Sequence, residues 1–228
     1  MKKLSVVVLV AVFAAGCGLG GGTSDQVVTP LSILSVYNAN ADADADVNMT
    51  INSVQVNGQA IGYKTFLEYF QLDPGDKAIK FKTSGGTTVV DTAFTLLGFK
   101  AYSIFLTKKK SGKLVSVFTL DEGNLVTSTN TMVRFINLSP DSPDVDVKFV
   151  GQPNVFASNM PFMLAGPYTE IPSSDYAVQI VRSSDGQLLA TASLSSTGSG
   201  YYQTIVFSGY NVSPVGGANT LTAKVIHD

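Results

Sequence analysis

The sequence predicts an all-β protein: two tandem, Ig-like antiparallel β-sandwich domains behind a lipoprotein signal peptide. Three observations predict it. Strand and turn formers dominate, with 13 Phe, 9 Tyr, frequent Val, Ile and Thr, and 21 Gly punctuating them. Apolar residues recur at period two in short runs, separated by turn signals every 8 to 12 residues or so, which is a sandwich pattern. The same succession of runs also occurs twice, about 100 residues apart, so the chain is a duplication.

Composition sets further bounds. Of 228 residues, 45% are hydrophobic and 14% charged, the profile of a folded chain able to bury one or two cores. Removing Lys2 and Lys3 with a cleaved leader takes the basic count from 15 to 13 against 17 acidic residues, a net charge of −4. Nucleic-acid binding leaves a basic footprint, and none is present.

Residues 1–16 have the build of an export signal. Lys2 and Lys3 form its basic start, Leu4 to Ala15 an apolar run of 12 residues, and Ala14-Ala15-Gly16 a small-residue cleavage site. A run of that length falls short of the roughly 20 residues that a spanning helix needs. Cys17, the single cysteine, follows directly, and the segment resembles a bacterial lipoprotein signal. That resemblance implies cleavage before Cys17 and acylation of its sulfur and new amine, although Ala14 stands where Leu is usual. Acyl chains contribute about 0.8 kcal/mol per buried methylene, so two or three hold a protein on a bilayer essentially permanently. An exported chain whose only cysteine is lipidated has no disulfide, and each domain stands on its own core.

Residues 17–30 supply the lipidated cysteine and a Gly-rich tether, GLGGGTSDQVVTP, with an average reach of roughly 20 Å. No Asp follows Cys17. By the same resemblance, that points to the outer membrane, on its periplasmic or its surface face.

The first domain is expected over residues 31–122. Leu31 to Tyr37 is an apolar strand, followed by the Asp-rich turn NANADADADV from Asn38 to Val47. Val47, Met49 and Ile51 then alternate with Asn48, Thr50 and Asn52, one apolar face and one wet. Val54 and Val56 extend this run to Asn57-Gly58, a tight-turn dipeptide. Ile61 to Phe70 reads equally as a strand or a helical turn. Asp73-Pro74-Gly75-Asp76 turns into a strand carrying Ile79 and Phe81, and Ser84-Gly85-Gly86 into one carrying Val90, Thr92, Phe94 and Leu96. Tyr102, Ile104 and Leu106 line the next strand, Ser111-Gly112 turns it, and Leu114 to Leu120 closes the domain, giving about seven strands.

Asp121 to Asn130, DEGNLVTSTN, reads as a polar connector that permits either a compact or a bent pair of domains. The second domain, residues 131–228, replays the first. Val133 and Phe135 answer the opening strand, and NLSPDSPDVDV from Asn137 to Val147 answers the Asp-rich turn and the Val47 strand. Tyr176, Val178 and Ile180 match Ile79 and Phe81, and Leu188 to Leu194 match Val90 to Leu96. Tyr202, Thr204 and Val206 match Tyr102, Ile104 and Leu106, and Leu221 to Ile226 form the last strand.

The second domain resembles the DUF4397 family, β-sandwich domains of exported bacterial proteins. The likeness rests on VRFINLSPDSPDVDV (133–147), on Ile171-Pro172 with the strand from Asp175 to Val181, and on GYYQTIVFSG (200–209). The first domain resembles the family less, because its Asp-rich turn lacks both prolines. The resemblance implies the sandwich fold and brings no catalytic residues with it.

Two features carry candidate chemistry. Asp42, Asp44 and Asp46, with Asp141, Asp144 and Asp146 at the matching place of the second repeat, are the oxygen donors a hard cation such as Ca²⁺ takes. The EF-hand pattern fails, since Val47 and Ser53 stand where its Gly and Glu belong. Asp and Asn ahead of a strand also serve to bond nearby backbone N–H groups and shape the turn. Tyr63, Phe66, Tyr69 and Phe70, with Phe156, Phe162 and Tyr168, would suit a ligand surface by ring stacking, or else core and domain packing.

Lys108, Lys109, Lys110 and Lys113 flank a hairpin tip, where charge protects strand edges or meets anionic lipid. The single histidine, His227, is penultimate, and once Cys17 is lipidated no cysteine remains to serve as a nucleophile. The expectation is therefore no catalytic residue, no cofactor, and a non-enzymatic, lipid-anchored binding or adhesion module for an envelope polysaccharide or protein. A structural spacer or accessory subunit of an envelope complex is the alternative.

Overall fold

The computed structural model describes residues 30–42, 45–122, 129–195, 202–212 and 219–227. The signal segment, Cys17, the tether as far as Thr29, Asp44 and the middle of the connector lie outside them. Every regular element among the described residues is a strand.

The first sandwich holds β1 (Ser32–Asn38), β2 (Val47–Ile51), β3 (Val54–Gln55), β4 (Phe66–Leu72), β5 (Gly75–Thr83), β6 (Thr88–Leu96), β7 (Ala101–Lys108) and β8 (Leu114–Leu120). The second holds β9 (Asn130–Asn137), β10 (Val145–Phe149), β11 (Val155–Met160), β12 (Thr169–Pro172), β13 (Tyr176–Arg182), β14 (Leu188–Leu194), β15 (Tyr202–Ser208) and β16 (Thr222–His227). Each sandwich is two four-stranded sheets. The inner ones run β4-β1-β7-β8 and β12-β9-β15-β16, the outer ones β3-β2-β5-β6 and β11-β10-β13-β14. Pairing is antiparallel except for β1 with β7 and β9 with β15, which run parallel at the same place of each repeat.

The period-two residues do what their spacing dictates. Leu34, Val36, Met49, Ile79, Phe81, Ile104 and Leu106 close the first core. Val133, Phe135, Val147, Val178 and Ile180 close the second, joined on β15 by Ile205 and Phe207 rather than by the expected Thr204 and Val206, which face the seam because that strand is covered on both faces.

Three further details differ from the sequence reading. Val54 does not extend β2. Asn52 and Ser53 both take the left-handed conformation, with φ of 48° and 71°, and fold β3 back on β2, which leaves Val54 exposed. Asn57 consequently makes no tight hairpin. Its side chain is buried, accepting from Met49 N–H at 2.7 Å and donating to the Gln59 carbonyl at 2.7 Å. Ile61 to Phe70 resolves into a single bridge from Ile61 to Val47, a turn, and the start of β4.

The largest difference is between the domains. The inner sheets pack on each other, so their middle strands are covered on both faces. Tyr37, Ala39 and Phe105 of the first sandwich meet Ile136, Leu138, Val206 and Ile226 of the second in a third apolar cluster. Arg134 of β9 contacts residues at the start of β7 and the end of β8, while the Leu138 carbonyl just past β9 accepts from Thr107 near the end of β7 at 2.7 Å. The two repeats therefore run in the same sense. They share a proximal end, where the chain enters β1, and a distal end, where the Asp-rich turns lie.

Candidate functional site

Each Asp-rich turn is held by a buried asparagine at the end of the opening strand. Asn38 donates through Nδ2 to the carbonyls of Ala45 at 2.8 Å and Ile61 at 2.7 Å, while its Oδ1 accepts from Asn40 N–H at 2.9 Å. Asn137 repeats this, with Met160 carbonyl at 3.0 Å, Ser142 Oγ at 3.2 Å and Ser139 N–H at 3.0 Å. Their own carbonyls accept from Lys64 and Met163, both at 2.7 Å. Both of these residues sit at positive φ, 62° and 68°. Asparagine is used because one short side chain offers two donors and an acceptor to a turn that leaves backbone groups unpaired.

Three of the carboxylates beyond the asparagines are engaged within the protein. Asp42 accepts from Tyr210 at 2.8 Å and pairs with Lys108. Asp141 accepts the N–H groups of Asn211 at 2.8 Å and Val212 at 2.9 Å. Asp146 accepts from Ser183 Oγ at 2.6 Å and Asn159 N–H at 2.9 Å. Burial opposes its charge, but these bonds and Lys148 outweigh burial and hold its pKa below the usual carboxylate value. Asp144 lends its main-chain carbonyl to Ser183. Asp46 lies with Oδ1 against Gly62. Among the described residues no three His, Cys, Asp or Glu side chains converge as a metal would need.

Asp42 acts across the seam, since Tyr210 belongs to the second sandwich. Asn219 also donates to the Ala41 carbonyl through both its N–H and its Nδ2, each at 3.0 Å. Burial first, then the bond to Asp42 and the charges of Asp42 and Asp141, push the Tyr210 hydroxyl well above the ordinary tyrosine range. Nearby, Lys224 donates to the Lys64 carbonyl at 2.9 Å.

Near the proximal end of the seam lies a buried ion pair. Arg134 and Asp121 have side chains only 2% and 3% exposed and meet at 2.6 Å. Nε of Arg134 donates to Thr204 Oγ1 at 2.7 Å, and Nη1 also reaches Thr119 at 3.1 Å. The guanidinium lies 4.5 Å from the Tyr168 ring centre and 5.4 Å from that of Phe105. Asp121 accepts in turn from Tyr69 at 2.7 Å and Ser103 at 2.5 Å. The first residue of the expected polar connector is thus a buried anchor, because a charge this deep persists only when fully paired and bonded.

Around this pair the two sandwiches leave an open cleft at the proximal end. One lobe, of about 760 Å³, runs along Leu120 and Arg134 to Gly166 and Pro167. The other, of about 470 Å³, is lined by Tyr69, Phe99, Tyr168 and Tyr202. Lys100, Glu122 and Tyr168 border both, and Lys100 pairs with Glu122 at the rim. Tyr168 and Tyr202 meet edge to face with centres 5.0 Å apart. Burial raises the Tyr202 pKa, so its hydroxyl stays a neutral donor and acceptor.

The seven rings named from the sequence do not form one face, and Phe70 packs against the first core. Tyr69 and Tyr168, at the same place of the two repeats, come together in the cleft. Tyr63 bonds Ser208 across the seam at 3.2 Å, and Phe66 packs against the seam cluster. Phe156 packs tilted against Phe149 in the second core, 4.7 Å between centres. Phe162 is half-buried in the turn before Met163. His227 is exposed at the end of β16, and Lys109, Lys110 and Lys113 are exposed around the β7–β8 turn.

Sequence reasoning missed Arg134, Asp121, Phe99 and Tyr202 as parts of the cleft. A signal was present in the unbroken apolar runs Ile104-Phe105-Leu106 and Ile205-Val206-Phe207, which mark strands buried on both faces.

The profile described as "Domain of unknown function (DUF4397)" matches residues 32–148, just over half of the chain. The chain belongs to the DUF4397 family. The DUF4397 match covers the whole first sandwich and ends inside β10 of the second, so it takes in both Asp121 and Arg134. It falls mainly on the repeat whose Asp-rich turn lacks prolines, and it includes VRFINLSPDSPDVDV at its far end. A search of curated proteins found no match. Among solved structures, the chain is similar to CBMbc, a family CBM26 module of Eubacterium rectale Amy13K in complex with maltoheptaose. That likeness has 12% identity over 86% of this chain and 97% of that one, with a TM-score of 0.27, too slight to bear on function.

Proposed function

We propose that the protein is a lipid-anchored, non-enzymatic binding module of the bacterial envelope, and that its ligand lies in the cleft between the two sandwiches. The observation that carries this reading is the fully bonded Arg134–Asp121 pair inside an apolar seam. It joins two sandwiches into one body, and so gives the cleft fixed walls from both.

A preformed concave site with several rings and a few placed polar groups is the usual form of a small-ligand site. Here the groups are three tyrosines and the Lys100–Glu122 rim. Rings that stack and hydroxyls that both donate and accept suit a polyhydroxylated chain, which favours an envelope polysaccharide over an apolar ligand. Anchoring at Cys17 would keep the module at the membrane, with the outer membrane as its expected place.

Calorimetric titration with isolated envelope polysaccharides tests the cleft. Tyr202→Ala is expected to weaken binding about tenfold or more, at the scale of one lost stacking ring, with the melting temperature nearly unchanged. Binding that ignores Tyr202→Ala, or no binding to any envelope glycan, overturns the glycan assignment. Membrane fractionation of Cys17→Ser tests the anchor, since the variant should leave the membrane fraction. Protease shaving of intact cells then decides between the surface and the periplasmic face.

A further inference from the structure

The loop between β6 and β7 carries two of the most exposed large apolar side chains in the described residues, Leu97 at 58% and Phe99 at 71%. It is not a slack loop. Leu97 N–H donates to the Tyr102 hydroxyl at 3.0 Å, and the Leu97 carbonyl accepts from Ser32 Oγ at 2.9 Å. Phe99 N–H donates to the Leu31 carbonyl at 2.8 Å, and Ile33 N–H to the Lys100 carbonyl at 3.0 Å.

Phe99 is held at φ 61°, a left-handed conformation that an aromatic residue adopts only when its surroundings impose it. Gly98 lets the loop pack directly on Pro30, since a Cβ there would lie 2.5 Å from both Cβ and the carbonyl oxygen of Pro30. A strained, pinned backbone thus presents two apolar side chains to solvent. Their own core, a few residues away, leaves them out.

Where they point is set by the chain itself. Pro30, against which Gly98 packs, is the last residue before the segment that leads back to Cys17. Twelve residues, Gly18 to Thr29, separate Pro30 from the cysteine, a span of at most roughly 45 Å when extended. The cation beside the tip, Lys100, is paired with Glu122, so the attraction on offer is apolar burial rather than attraction to anionic lipid.

We propose that Leu97 and Phe99 form a wedge that sits in the headgroup–acyl boundary of the bilayer to which the chain is anchored. The wedge fixes the proximal end against the membrane and turns the distal end away from it. This rests on the anchored reading proposed for Cys17. Amphipathic surfaces gain membrane affinity in proportion to the apolar area they bury, and a tether holds the local concentration high enough for two side chains to suffice.

The chain has no Trp and one Cys, which makes the test specific. Every described strand lies after Pro30, so the chain from Cys17 onward keeps both sandwiches whole. That form, carrying Phe99→Trp, is coupled through Cys17 to maleimide-bearing phosphatidylcholine vesicles with and without brominated acyl chains. Val212→Trp, an equally exposed apolar position at the distal end (72%), is the control, and Leu97→Trp serves if Phe99→Trp does not fold.

The expected result is a blue shift of the tip tryptophan on coupling and its quenching by brominated lipid, unchanged in high salt, with the distal tryptophan unaffected. A tip emission that stays red and unquenched overturns the proposal. So does a blue shift without bromine quenching, which means that protein rather than lipid covers the tip, and so does equal quenching at both ends. Mass analysis of the N-terminal peptide from membranes reports acylation separately, so failure of the anchor is distinguishable from failure of the wedge.

Discussion

Ser35 and Arg134 occupy the same place of the repeat, on the middle strands of the two inner sheets and facing the seam. Ser35 makes one short bond, to Ser103 at 2.8 Å, within its own sandwich. Arg134 crosses to the other, pairing with Asp121 and Thr119 while keeping Thr204 at home. Duplication supplied two surfaces of like shape, but two like surfaces set face to face would meet serine against threonine. One long cation broke that likeness and made the contact specific. Outside it, the seam combines apolar packing with hydrogen bonds such as Tyr63 to Ser208 and Tyr210 to Asp42.

The sharpest way to break the comparison is Arg134→Ala. Removing one partner of a buried pair leaves Asp121 charged in a dry seam, and the expected loss is about 3–5 kcal/mol, read as a drop in the urea midpoint. Arg134→Ser, which makes the second repeat like the first, should cost a similar amount. Replacing both partners, Arg134→Met with Asp121→Leu, should recover most of it. If Arg134→Ala costs under about 1 kcal/mol, the pair is not the lock.

Where the repeats agree, their responses should agree. Asn38→Ala and Asn137→Ala each strand buried backbone groups and are expected to cost about 2–3 kcal/mol, the two values lying close together in paired denaturation curves. A large gap between them would mean that the two Asp-rich turns are held differently.

A smaller effect comes from pH. Burial, with the carboxylates beside Tyr210, raises the hydroxyl pKa values of Tyr37, Tyr63 and Tyr210 at the seam. A group whose folded pKa is raised contributes stability in full below its unfolded value, near 10 for tyrosine, and loses it as pH rises beyond that. The urea midpoint should therefore hold between about pH 8 and pH 10 and fall above that range. Tyr210→Phe should make the fall shallower.

The smallest effect is at Tyr37, whose buried hydroxyl has no hydrogen-bond partner. Tyr37→Phe keeps the ring that Lys224 overlies and removes an unsatisfied group, so stability should stay level or rise by up to about 1 kcal/mol. A clear loss in the same denaturation assay would mean that the hydroxyl has a role at the seam.

Much of the fold was legible because one-sided burial leaves a period-two trace. Met49, Ile79 and Phe81 face inward, as their alternation requires. Matching positions in the second repeat, such as Val147 and Val178, confirm the register. Turn chemistry was legible only in part. Asp73-Pro74-Gly75 turns where its residues say it should, whereas Asn57-Gly58 yields to Asn52-Ser53, since asparagine serves either as a left-handed turn residue or as a buried hydrogen-bonding hub.

Of the cleft, Tyr69 and Tyr168 were visible as aromatics, but not that they meet. Arg134 reads as the wet position of a half-exposed strand, because polarity at alternate residues says solvent whenever no second surface is known. Asp121 reads as linker for the same reason.

The sequence by itself determined the all-β class, the repeat and the inward faces of most strands, since these follow from local spacing that water enforces on each strand separately. By contrast β15, apolar on both faces, left its register open. Only the tertiary structure decided that the two inner sheets close on each other, that Arg134 and Asp121 join them, and that rings 99 residues apart, Tyr69 and Tyr168, share one cleft. Those outcomes depend on which surface meets which across the chain, and the pattern along a strand carries no record of its distant partner.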